Sequence, residues 1–146
     1  MKIFKKKVEL KSEKQIDFIN ITEDVENVIE KSGIKNGQVL VFSPHSTASI
    51  MINHNEPMLM QDITRLLFRL SPAEERYSHD LFELNKKNKS DGRSNAHSHC
   101  KNILLGCNEN IILEKGELLL GENQTIFFID LDGARKRDCL VQVMGE

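Results

Sequence analysis

The last third of the chain, "ENIILEKGELLLGENQTIFFIDLDGARKRDCLVQVMGE", is a series of short apolar runs separated by Lys115-Gly116, Gly121 to Asn123 and Asp132-Gly133. Each break supplies residues suited to turns and each run has the length of a strand, so the segment predicts an antiparallel meander. At the other end, "KIFKKKVEL" and "QIDFINIT" carry β-branched and aromatic residues around "KSEK", and read as two strands joined by a turn. Helical spacing appears between these regions. Val25, Val28 and Ile29 recur at three and four residues in "EDVENVIEKSG", with Thr22 expected to cap that helix and Gly33 to stop it. After the Asn36-Gly37 turn, "QVLVFS" reads as a strand buried on both faces, which Pro44 interrupts before "TASIMIN". Pro57 suits the first turn of the most regular helix, where Leu59, Ile63, Leu66, Leu67 and Leu70 form one stripe. Strands at both ends with helices between them predict an α+β fold, a sandwich of mixed or antiparallel β-sheets with flanking helices.

At 146 residues the chain has the size of a single domain spanning 1–146, and no internal repeat is visible. Twenty basic and 22 acidic residues leave a net charge of -2, so no global field would hold a nucleic acid. The clusters Lys5 to Lys7 and Lys86 to Arg93 read as solvated strand-end and loop residues. "MKIFKKK" is too charged for a secretory signal, and no apolar run is long enough to span a bilayer. The expectation is a cytoplasmic protein with no nucleic-acid or membrane partner. Cys100, Cys107 and Cys139 are odd in number and widely spaced, which argues against a disulfide framework or a cysteine zinc site.

Chemistry is therefore sought among the histidines. His45, His54, His79 and His97 lie outside the apolar runs or at their ends, and His99 opens "HCKNILLG". Three neutral imidazoles with one coordination position left open can hold a catalytic divalent ion. His97 and His99 would share a face on a strand but lie about 200° apart on a helix. No H-E-x-x-H, Gly-rich phosphate loop or G-x-S-x-G elbow is present, so any site is assembled from distant segments. Asn53, Asn55 and Asp62 could orient a ligand, while Asn53 could equally end a strand and Asn55 cap the helix begun by Pro57. Asp132-Gly133 is a turn, beside which Arg135 and Arg137 could present guanidinium groups to phosphate. The polar stretch from Ser71 to about Asn95 reads as a long loop.

Three stretches together resemble the YjbQ-like family. They are "PHSTASIMINHNEP", "YSHD" followed by "NAHSHCKNILLG", and "GELLLGENQTIFFIDLDGARKRDCLVQVMGE", in family order and spacing over most of the chain. The resemblance selects His45, His79 and His99, leaving His97 on a variable position. It implies that these three histidines meet in a pocket as catalytic residues and ligands of a divalent metal, zinc or magnesium. It further implies a homotrimer and a secondary thiamine-phosphate synthase activity. That reaction joins an aminopyrimidine diphosphate to a thiazole phosphate and releases pyrophosphate. Thr47, Asn53, Asn55, Lys101 and Arg135 are the accompanying candidates for contacts with a small phosphorylated metabolite. The alternative reading is a non-catalytic homotrimer that binds a metal or small metabolite. Two departures stand out: His54 replaces the family's glutamate between the asparagines, and Asn123 replaces an aromatic residue in "GENQ".

Overall fold

A computed structural model describes residues 1–85 and 93–146, with only the backbone for 83–85. Among the described residues eight strands form two antiparallel sheets. The larger has the order β1 (Lys2–Lys11), β8 (Lys136–Gly145), β3 (Gly37–Phe42), β5 (Asn108–Glu114), β6 (Glu117–Leu118). The smaller has the order β2 (Asp17–Asn20), β7 (Thr125–Asp130), β4 (Ala48–Asn53). The described residues also form four helices: α1 (Thr22–Ser32), α2 (Pro57–Leu70), α3 (Ser78–Asn85) and α4 (Ala96–Leu105). The α+β sandwich expected from the sequence is the fold observed. None of the helices among the described residues is long and apolar enough to cross a membrane.

Burial follows the strand period. Arg137, Cys139, Val141 and Val143 alternate inward along β8, as do Val39 and Val41 on β3 and Ile111 and Leu113 on β5. They meet Ala48, Ile50, Ile126 and Phe128 of the smaller sheet, together with Val25, Val28 and Ile29 of α1. The smaller sheet is covered on its other face too, where Phe127 and Ile129 pack with Leu67 of α2. So the strand buried on both faces is β7, "TIFFID", and not β3, whose Leu40 and Phe42 are only half-buried.

Several local expectations change for physical reasons. The "KSEK" turn connects β1 and β2, but they enter different sheets and do not pair. Only Lys115-Gly116 makes a tight hairpin within the expected meander. Both residues have positive φ, 53° and 88°, which a two-residue turn matching the strand twist requires. β7 then crosses to the smaller sheet, and β8 returns between β1 and β3. Thr22 does not cap α1; its hydroxyl instead accepts from the Ile126 N–H at 3.0 Å. Glu56, not Asn55, caps α2, accepting from the N–H groups of Met58 and Leu59 at 2.8 and 2.7 Å. On α2 the line that faces the sheet is Met60, Ile63 and Leu67, while Leu66 and Leu70 are 49% and 59% exposed. A sheet three strands wide covers only part of the predicted stripe. The Ser71–Asn95 stretch contains α3 and the start of a polar network, and residues 86–92 of its basic end lie outside the described residues.

One buried ion pair closes the sandwich at the end that carries the histidines. Asp130, fully buried, accepts from Arg137 Nε at 3.1 Å and Nη2 at 3.0 Å, from the Ser12 hydroxyl at 2.6 Å and from the Asp132 N–H at 2.9 Å. Arg137 Nη2 also donates to Thr47 Oγ1 at 2.7 Å. The turn that follows β7 is held tightly against this junction, since a Cβ at Gly133 would collide with the Lys14 carbonyl and the Ser12 hydroxyl. Burial alone pushes the Asp130 carboxyl up, but hydrogen bonds from Arg137, Ser12 and Asp132 and the charge of Arg137 hold it below the usual carboxylate range. Arg137→Met should strand that charge and cost about 3–5 kcal/mol in urea unfolding. The wild type's advantage from Asp130 should be complete above the ordinary carboxylate range and disappear as acid protonates the folded chain.

Candidate functional site

His79 stands in the first turn of α3 and His99 in the first turn of α4; their rings meet edge to face with centroids 4.9 Å apart. Because residues 97 and 99 lie on a helix, α4 buries His97 and turns His99 the other way, toward His79. The pair borders a cavity of about 360 Å³ that Tyr77, Ser78, Ala96 and Cys100 also line. α4 is anchored to the smaller sheet by Ser98, whose hydroxyl donates to the Leu131 carbonyl, and by Asn102, which donates to the Ala48 carbonyl and Ser49 hydroxyl. Its first N–H is capped by Asp80 of α3 at 3.0 Å, which leaves the Asn95 side chain available for another task.

That task is to orient His79. Asn95 Nδ2 donates to Asp132 Oδ2 at 2.9 Å, so its amide oxygen faces His79 Nε2 at 3.2 Å. An amide oxygen only accepts, so Nε2 of His79 carries a proton, and in the neutral ring the lone pair lies on Nδ1. His99 is hydrogen-bonded to the backbone of Ser46, which favours its protonated form, yet burial first and the neighbouring His79 second hold its pKa below the usual imidazole value. At neutral pH His99 is uncharged. Asp132, only 6% exposed, also receives Arg93 Nη1 at 3.0 Å and Arg135 Nη1 at 3.3 Å. About a third of the Arg135 side chain remains exposed beside this carboxylate.

The other expected site residues are placed differently. His45, between β3 and β4, puts Nε2 3.0 Å from both the backbone oxygen and Oδ1 of Asp138, and its ring packs edge-on against Phe128. It lines a separate cavity of about 490 Å³ with Lys11, Lys136 and Asp138. Thr47 is buried, with its hydroxyl occupied by Arg137. Asn53 is exposed at the end of β4 and accepts from the N–H of the exposed His54. Asn55 lines a cavity of about 660 Å³ between β2 and α2, and no histidine borders it. Its polar lining, Lys14, Asp17, Gln61 and Arg65 among it, includes no paired imidazoles, so the smaller histidine cavity is the better candidate. Among the described residues no three His, Cys, Asp or Glu side chains come together to hold a metal ion. Asn95, Asp132 and Asp80 are absent from the sequence-level candidates. Asp80 ends "YSHD" and Asn95 opens "NAHSHCKNILLG", while the signal for Asp132 is charge matching between the acidic pair of "DLDGARKR" and its arginines.

Lys101 is fully buried rather than open to a ligand. Its Nζ lies 2.7 Å from the Ser71 carbonyl, 2.7 Å from His97 Nδ1 and 4.2 Å from the Phe68 ring centroid. Burial lowers the lysine to about 8. Burial and then Lys101 lower His97 in turn, which keeps it a neutral acceptor. The unfolded chain holds the lysine proton up to the ordinary value near 10.5, so this group makes the fold more stable as pH rises from about 8. Urea unfolding should show the stability of the wild type relative to Lys101→Met rising by about 2–3 kcal/mol between about pH 7 and pH 10.

Comparison with known proteins agrees over the whole fold. The family described as UPF0047 protein YjbQ-like matches residues 6–146. A UPF0047 protein of Methanothermobacter thermautotrophicus is 36% identical over 146 residues, covering 100% of this chain and 95% of that protein. The UPF0047 protein YugU of Bacillus subtilis is 32% identical over 141 residues, covering 96% and 98%. The crystal structure of a YbjQ-like protein of unknown function from Sulfolobus solfataricus superposes with a TM-score of 0.90 at 34% identity, covering 99% of each chain. A YjbQ/UPF0047 protein of Clostridium acetobutylicum superposes with a TM-score of 0.84 at 34% identity, covering 94% of this chain and 98% of that one. With the match running almost end to end in both sequence and backbone, the chain belongs to the YjbQ-like UPF0047 family.

Proposed function

We propose that His79, His99, Asn95, Asp132 and Arg135 form a site for a small phosphorylated metabolite, and that thiamine-phosphate synthesis is a secondary activity of that site. The observation that carries this reading is a pair of adjoining imidazoles, each with one ring nitrogen committed to the protein, beside a partly exposed arginine. In the reaction the thiazole nitrogen attacks the methylene carbon of the aminopyrimidine diphosphate. The carbon–oxygen bond breaks, and its electron pair leaves with pyrophosphate. Arg135 would hold the diphosphate oxygens and offset their charge. The lone pairs of His79 and His99 would accept from the amino group of the pyrimidine, fixing the methylene carbon for attack.

A divalent ion, where bound, would supply further neutralisation of the departing pyrophosphate. The paired imidazoles are one donor short of a three-ligand catalytic zinc site, so each step above is assigned to side chains. The proposed assembly is a homotrimer of 16.7 kDa chains. Light scattering should return three chain masses, and a monomer would count against it.

Pyrophosphate release from the two substrates tests the reading. His79→Ala and His99→Ala should each lower kcat/KM at least about tenfold, and Arg135→Met between about ten- and a hundredfold. Unchanged turnover in all three variants would overturn the assignment. Because the His99 lone pair is needed, its protonation should lower activity at a pH below the ordinary imidazole value. A wild type that binds the aminopyrimidine diphosphate without releasing pyrophosphate would instead identify a binding protein.

A further inference from the structure

We infer that Lys101 is a positioning residue, the centre of a buried clamp that holds His79 and His99 at their edge-to-face contact. The clamp is a closed set of hydrogen bonds around the end of α2. Lys101 Nζ donates to the Ser71 carbonyl and to His97 Nδ1, each at 2.7 Å. The Ser71 hydroxyl donates back to the His97 carbonyl at 3.1 Å, and lies 3.1 Å from the Tyr77 hydroxyl. Tyr77 in turn donates to the Pro72 carbonyl at 2.7 Å. Phe68 of α2 closes one side, stacked on His97 with centroids 6.1 Å apart and lying beneath the Lys101 ammonium.

What this ring joins is the reason to assign it a role. Tyr77 is two residues before His79, and His97 and Lys101 flank His99 by two residues on either side. The same buried ammonium therefore connects the approach to α3 with the turn of α4 that carries the second imidazole. Packing alone does not require a lysine here. A methionine would fill similar space without placing a charge in the interior, where no carboxylate among the described residues forms an ion pair with it. The donors of Lys101 are what an apolar residue could not supply.

The consequence for turnover rests on the proposed function, but the test of position does not. In the wild type, nuclear Overhauser contacts between the ring protons of His79 and His99 should be strong. In Lys101→Met that folds, with wild-type circular dichroism and a cooperative thermal transition, they should fall severalfold. Where that variant turns over the two substrates, kcat should fall more than KM rises. A folded Lys101→Met that keeps the full ring-to-ring contact would overturn the inference. Should Lys101→Met fail to fold, Tyr77→Phe decides: a weakened contact supports the clamp, and an unchanged one overturns it. Loss of the ring contact in a protein whose wild type shows no turnover would leave the clamp standing and reject the proposed reaction alone.

Discussion

A carboxylate with no solvent access must be met by donors, and Asp130 is met from three parts of the chain at once. Ser12 follows β1, Asp132 follows β7, and Arg137 opens β8 while reaching Thr47 in the β3–β4 connection. Backbone hydrogen bonds accompany the ion pair at this end, from Leu131 to the Thr47 carbonyl and from Gly133 to the Gln15 carbonyl. The common interior of the two sheets is aliphatic and aromatic, and such surfaces attract without fixing a direction. The bidentate arginine supplies the direction, because its planar fork accepts only a narrow range of carboxylate positions. It also determines where the "DGAR" turn emerges, and so where Asp132 and Arg135 stand.

Two aspartates two residues apart thus serve different ends. Asp130 faces inward and is saturated, whereas Asp132 turns to the histidine side and gathers Asn95, Arg93 and Arg135. From Asp132 the order propagates outward through the Asn95 amide, which leaves His79 with one defined tautomer. The electrostatic result is a compact arrangement of unlike groups: paired imidazoles, an anionic hub, a partly exposed guanidinium and, beneath them, a buried ammonium. Burial keeps His97 and His99 uncharged, and the nearby anion moderates that effect without reversing it.

Much of the backbone was legible from residue order. Val25, Val28 and Ile29 gave α1, Pro57 gave the start of α2, and Lys115-Gly116 gave the hairpin, because each depends on neighbours within one or two turns of chain. Capping was less legible. Thr22 and Asn55 have suitable side chains, but Thr22 was taken by the Ile126 N–H, and Glu56 had the reach to cap α2. The doubly buried strand was misplaced for a similar reason: "QVLVFS" and "TIFFID" are equally apolar, and only sheet order decides which has a second layer above it. Among the candidate site residues, family resemblance directed attention to His79 and His99, which do meet. It did not reveal Asn95 or Asp132, whose use depends on a contact between segments 37 residues apart.

The sequence by itself determined the α+β class, the principal helices and the strand-forming runs, since periodicity and turn chemistry are local properties that a linear string records. It also fixed that His97 and His99 would diverge once they lay on a helix. Only the tertiary structure decided which strands share a sheet, that Lys101 is interior and that His45 faces Asp138 instead of the histidine pair. Those outcomes depend on competition among distant partners for the same donors, acceptors and buried area, and chain order does not encode the distances that settle it.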